Sequence, residues 1–229
     1  MKTRYYTMFV MLYITIMCIT ILMAYKPLQF DSLIFPGGIF VFPIVYFIND
    51  AMSEIYGYRE AKKVILIGFF CQLFFVTIVT LINSMSSPSF WHHQEEYNTT
   101  LHPIIRCFIS VSAGVTIGGI INTYFISKWK VLTRGRLFWI RSIGASAIGE
   151  VFQSLITFTI AFLYTMPMKS FLSLVVAAGL FKLSYSVIMA LFGSHLVMLL
   201  KRTETVKDPD MDQAYDNPFK TKDTNYATI

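Results

Sequence analysis

Charge is what this 229-residue sequence lacks. Asp, Glu, Lys and Arg together make up 14% of it, whereas a soluble domain carries roughly 25%. The apolar residues, 55% of the chain, come in long runs rather than periodic stripes. Together these features exclude an ordinary water-soluble domain and point to lipid as the solvent. Cysteine is scarce too. Cys18, Cys71 and Cys107 lie in three different apolar runs, which excludes a disulfide framework or a cysteine metal cluster. They read as small buried hydrophobes. No Walker A sequence is present, so any ATP would be used on another chain. Residues 83–102 hold no Lys or Arg at all. His92, His93, Glu95, Glu96 and His102 lie in that stretch but lack the helical His spacing of a zinc enzyme, and are expected to form a solvated loop. Asp208, Asp210, Asp212 and Asp216 lack the turn glycine and closing Glu of a calcium loop, Gln213 standing where the glycine belongs. No resident metal or cofactor is expected.

What the sequence does contain is six apolar runs, at 6–25, 33–48, 64–82, 104–126, 137–164 and 171–200. A hydrocarbon core of about 30 Å needs roughly 20 residues of helix. The first run is too long for a cleaved signal peptide, and Leu22 and Ala24 make no A-x-A site, so it is expected to stay as a span. The second contains Pro36, Gly37, Gly38 and Pro43 and is expected to be short or broken. The last two exceed the minimum, which implies tilt or protrusion. The expected fold is therefore all-α, a polytopic six-helix membrane bundle over 1–202. A polar, poorly ordered tail is expected over 203–229.

Charge placement orients the bundle. Fourteen of the 19 basic residues fall at 2–4, 59–63, 128–136 and 201–222, all on one side of the six spans. Only Lys26 and Lys169 fall in the opposite loops. By the positive-inside rule both termini are cytoplasmic and the chain is a multi-pass protein of the inner (plasma) membrane. The same placement accounts for the net charge of +6, so no nucleic-acid partner is expected. The Asn98-Thr99-Thr100 sequon is short enough to arise by chance.

Ionisable residues inside spans are informative, because each costs about 2.5–3.5 kcal/mol at a helix centre. In the fifth run, turning successive residues by about 100° puts Gly149, Ser142, Gln153, Ser146, Thr157, Glu150 and Ser154 within one sector of roughly 140°. Phe152, Ile148 and Leu155 lie opposite. Ser and Thr alone would serve as glue between helices. A mid-membrane Glu150 with Gln153 and Ser154 beside it points instead to a polar cavity. In the sixth run Lys182 shares a face with Ser186 and Gly193, with Tyr185 at its edge. It is the natural partner of Glu150 or of a substrate oxygen, and a structural ion pair is the competing reading. Asn49, Asp50 and Glu54 close the second run, either as a solvated helix end or, if the helix continues, as one acidic face. Arg106 and Arg141, near span ends, are expected to snorkel, and His195 is expected to be packed or near a head group. The Gly144-Ala145-Ser146-Ala147 sequence, with His195 later in the chain, lacks the glycine that an intramembrane serine protease needs after its serine. No catalytic residue is assigned.

The second run carries a distinctive pattern: Phe42-Pro43, Asn49-Asp50, Glu54, Tyr56-Gly57-Tyr58 and Ala61. It resembles the F-P-x-x-x-x-x-N-D-x-x-x-E-x-Y-G-Y-x-x-A signature of the queuosine precursor transporter family, also described as a vitamin-uptake type. Arg141-Ser142, Ser146, Gly149-Glu150 and Ser154 are similar to the family's fifth span, Lys182 to its last. Asn217-Pro218-Phe219 resembles its common ending. Where the family pattern has Asp this chain has Gln153, an amide that hydrogen-bonds without charge. The resemblance implies a six-helix transporter, not an enzyme, that imports 7-deazapurine bases such as preQ0 or preQ1 for tRNA modification. It implies Glu150 at the base's donor edge, helped by Ser146, Gln153 and Ser154. Lys182 would balance Glu150 or meet the carbonyl, and an aromatic such as Tyr185 would stack on the ring. Asn49, Asp50 and Glu54 would line the pocket or form a gate. A homo-oligomer, or a substrate-capture subunit driven by a separate ATPase, stays open. So does a structural membrane protein whose charges merely pair helices.

Overall fold

In lipid every backbone polar group must find its partner within the protein, so apolar runs of this length fold as helices. The computed structural model describes residues 5–30, 33–162 and 168–203. The chain order is α1 (Tyr6–Ala24), β1 (Pro27–Phe30), β2 (Leu33–Pro36), a 3-10 turn (Gly37–Phe40), α2 (Phe42–Tyr56), α3 (Tyr58–Asn83), α4 (Gln94–Leu101), α5 (Ile104–Leu132), α6 (Phe138–Phe162) and α7 (Met168–Thr203). Six of these stretches are long and apolar enough to cross a membrane, which makes this an all-α polytopic bundle. The basic residues before position 5 and the tail features between Asp208 and Phe219 lie outside the described residues.

The second apolar run is indeed broken, and of the two readings of its end the continuing helix holds. Its first residues, Leu33–Pro36, are strand β2, which pairs antiparallel with β1 just before the run, Pro27 opposite Pro36. Proline fixes φ and donates no hydrogen bond, so helix resumes only at Phe42, with Pro43 in the first turn where a missing N–H costs nothing. From there α2 runs on through Asn49, Asp50 and Glu54 to Tyr56. These residues are therefore helical and buried, not a solvated helix end. Helix α2 is the central element, with 78% of its span buried in protein against 22% for α3. Gly57 joins the two at φ +83° and ψ 169°, a backbone conformation that only glycine adopts at little cost. The stretch expected to be a solvated loop contains α4, a surface helix with no buried residue and with Glu95 and Glu96 at its positive N-terminal end.

Helices α5 and α6 pack most closely through glycine. A Cβ on Gly118 would stand 2.5 Å from the Gly149 carbonyl oxygen, and one on Gly149 would stand 2.7 Å from the Gly118 carbonyl oxygen. The same Cβ on Gly118 would stand 2.6 Å from the Tyr46 hydroxyl of α2, so three helices meet there. Small residues permit such contact between membrane helices. Gly118→Val is expected to cost about 3 kcal/mol or more, since the obstruction is backbone that cannot rotate away. Thermal unfolding of the detergent-solubilised protein measures this, and an unchanged midpoint would mean the helices can separate freely. Elsewhere polar contacts act as glue. Ser112 of α5 donates to Gln72 Oε1 at 2.8 Å, and Gln72 of α3 donates to the Met17 carbonyl of α1 at 3.2 Å.

Candidate functional site

The polar side chains of α2, α5, α6 and α7 form three tiers along the bundle. At one end Glu54 is a meeting point for cations. Its Oε2 accepts from Arg141 at 3.0 Å, its Oε1 accepts from Lys201 at 2.9 Å, and its backbone carbonyl accepts from Lys130 at 2.9 Å. Arg141 is 2% exposed and also donates to the Ile126 and Arg136 carbonyls. The expectation that Arg141 snorkels is thus corrected. An ion partner on α2, 87 positions earlier in the chain, holds the guanidinium inside the protein, where Ile126 of α5 and Arg136 of the α5–α6 connection supply carbonyl acceptors.

One turn along α2 lies Asp50, also fully buried. It accepts from Asn122 at 2.6 Å, from Ser146 at 3.2 Å and from Ser142. Ser146, expected beside Glu150, therefore serves Asp50 instead. Ser146 thus contacts a carboxylate, and His195, exposed on α7, contacts the Leu191 carbonyl, so these two are not paired. Asn49, on the neighbouring face of α2, is 1% exposed and packs against Gly119 of α5. The Tyr46 hydroxyl and Asn122 Oδ1 are buried with no hydrogen-bond partner within the protein.

The third tier joins α6 to α7. Ser186 donates to Glu150 Oε1 at 2.6 Å, while Glu150 Oε2 is buried and unpartnered. Lys182 donates to Gln153 Oε1 and to Ser154 Oγ, the latter at 3.0 Å, and its ammonium lies 4.8 Å from the Phe42 ring centroid and 5.6 Å from that of Phe158. The hydrogen bonds of Lys182 thus go not to Glu150 but to the amide one turn further along and the hydroxyl beside it. Tyr185 is half-buried and stands apart from these hydrogen bonds.

A cavity of about 1390 Å³ opens from the far end of the bundle. Its mouth lies among the β-hairpin, α4 and the start of α5, where Tyr25, Gln94 and Arg106 line it. Its floor is Phe42, Gln153, Thr157, Phe158 and Lys182. Beneath that floor Glu150 and then the Asp50 and Glu54 tiers fill the bundle. The floor offers a ligand aromatic surface from Phe42 and Phe158 beside an ammonium and an amide, and a carboxylate oxygen lies in reserve one turn deeper.

The sequence reading missed Asn122, whose signal was the one amide in the 104–126 run. It also counted Lys130 and Lys201 as loop charges. No group of three or more His, Cys, Asp or Glu that could hold a metal occurs among the described residues.

Residues 36–195 match the family described as "Putative vitamin uptake transporter". A "Probable queuosine precursor transporter" of Bacillus subtilis (strain 168) is 26% identical over 159 residues, covering 66% of this chain and 66% of that relative's length. No solved structure matches. Six apolar helices and these likenesses make the chain a multi-pass integral membrane protein with a small-molecule transporter's ancestry.

Proposed function

Because this chain belongs to the vitamin uptake transporter family, we propose that it imports a flat nitrogen base, a 7-deazapurine such as preQ0 or preQ1 used to make queuosine in tRNA. The observation that carries this reading is the cavity floor. A deazaguanine presents two adjacent N–H donor groups and then a carbonyl along one edge. A carboxylate can take both donors while an ammonium meets the carbonyl, and leaving either group unpaired would be costly, which gives selectivity. Glu150 Oε2 is an unpartnered buried acceptor, and Lys182 lines the cavity above it. Phe42 and Phe158 offer faces for stacking.

In this reading the base enters from the cavity mouth, which faces outward with both termini in the cytoplasm of a cell whose inner membrane holds the protein. It rests first on Lys182 and Gln153, then engages Glu150 as Ser154 and Ser186 exchange partners. Asp50, held by Ser146, Ser142 and Asn122, and Asn49 beside it form the next station. Glu54, clamped by three cations, closes the inner end as a gate. The protein acts as a carrier and not an enzyme.

The test is queuosine in tRNA from a host that lacks both its own precursor synthesis and its own importer. Wild type supplied with low preQ0 or preQ1 is expected to restore the nucleoside, and Glu150→Gln to fail at the same concentration. Restoration by both would remove Glu150 from its role. No restoration by wild type, with the protein confirmed in the membrane, would overturn the substrate.

A further inference from the structure

We infer that the cavity selects by charge, and that Lys182 makes it admit a 7-deazaguanine with a neutral acceptor at ring position 7 in preference to one carrying an ammonium arm there. The inference rests on the proposed import of deazaguanines and adds which member of that class is favoured.

Two observations carry it. First, the charged side chains among the described residues lining the cavity are both basic: Arg106 at the mouth and Lys182 on the floor. Among the described residues no Asp or Glu lines it. Glu150 lies one turn deeper on α6, is 3% exposed and already accepts from Ser186. Second, Lys182 is held in place by neutral groups. Its donors go to the Gln153 amide oxygen and the Ser154 hydroxyl, and two phenyl rings flank it. These contacts fix its position with neutral partners, and the nearby carboxylate of Glu150 makes no hydrogen bond to it.

The chemistry of the ligand turns this into selectivity. Along the recognition edge of a deazaguanine the order is exocyclic amine, ring N–H, carbonyl, and then the substituent at position 7. With the donors aimed at Glu150 and the carbonyl at Lys182, that substituent lies on the Lys182 side, away from the carboxylate. A nitrile there is a second acceptor for the same ammonium. A protonated aminomethyl arm sets a like charge within a few Å of it. At an effective dielectric constant of about 20, such a repulsion is worth roughly tenfold or more in affinity even when about half of it is offset by the more distant Glu150 carboxylate.

The experiment compares initial uptake of 7-cyano- and 7-aminomethyl-7-deazaguanine by cells expressing the full chain, read by mass spectrometry of the washed cells. The same cells without the protein give the background. The half-saturating concentration is expected to be at least roughly tenfold lower for the nitrile. Gln153→Glu, which sets an anion against Lys182, is expected to narrow or reverse the ratio. Lys182→Gln is expected to bring the two ligands close to equal, with both weakened. If that variant does not reach the membrane, the wild-type ratio and Gln153→Glu decide alone. Equal half-saturation by wild type, preference for the ammonium ligand, or a ratio unmoved by Gln153→Glu would each overturn the inference. Uptake of neither compound above background would instead overturn the proposed substrate class.

Discussion

Lys182→Met is expected to raise the half-saturating substrate concentration by roughly ten- to hundredfold, the equivalent of about 1.5–3 kcal/mol for a hydrogen bond to a charged group. Methionine keeps the length and apolar stem of lysine, so the packing against Phe42 and Phe158 survives while the ammonium is lost. The variant also strands the Gln153 oxygen that Lys182 now satisfies. Uptake measured over a range of substrate concentrations separates the two consequences. A binding role moves half-saturation, whereas a purely structural role lowers the amount of protein in the membrane and leaves half-saturation alone. Wild-type half-saturation in both Lys182→Met and Glu150→Gln would mean the substrate binds elsewhere in the bundle.

The second large effect concerns the opposite end. Arg141→Ala is expected to destabilise the protein by about 3–5 kcal/mol, because it leaves Glu54 buried with its principal ion partner removed. Lys201→Ala is expected to cost less than about 1 kcal/mol, since that side chain is 37% exposed and solvent screens its contribution. The informative variant is the double substitution Glu54→Leu with Arg141→Leu. Replacing a buried ion pair by apolar residues of similar volume is often neutral or stabilising. The double variant is thus expected to melt at or near the wild-type temperature and yet to lose transport, because a gate fused by hydrophobic contact no longer opens. A double variant that transports normally would reduce the Glu54 cluster to a device for holding helices together.

Much of this protein was legible along the chain. The solvent, the helix count and the polar sector of α6 follow from the length and period of apolar runs, and both properties belong to contiguous residues. The burial of Ser142, Ser146, Glu150, Gln153, Ser154 and Thr157 on one side of α6 agrees with that sector, and of the residues expected opposite, Phe152 and Leu155 are exposed while Ile148 is half-buried. The break in the second run was legible for the same reason, since Pro36 acts on its own neighbours. Its form as a hairpin was not, because strand pairing depends on a second segment.

Partnership was where the chain ran out. Glu150 and Lys182 were natural mates by type and depth, yet Glu150 receives Ser186 and Lys182 reaches Gln153 and Ser154. Arg141 belongs to Glu54, 87 positions away. An α-helix rises about 5.4 Å per turn, so a slip of one turn between packed helices exchanges every partner without altering any helix's own pattern. That offset is fixed by close approaches such as Gly118 against Gly149, which are properties of two surfaces together. The sequence by itself determined that this chain lives in a membrane, how many times it can cross, and which side chains are costly enough there to need a purpose. Only the tertiary structure decided which of those side chains meet, that a cavity stops on Lys182, and that three cations converge on Glu54 at the other end, because helix offset and spacing arise from packing and are written in no single helix.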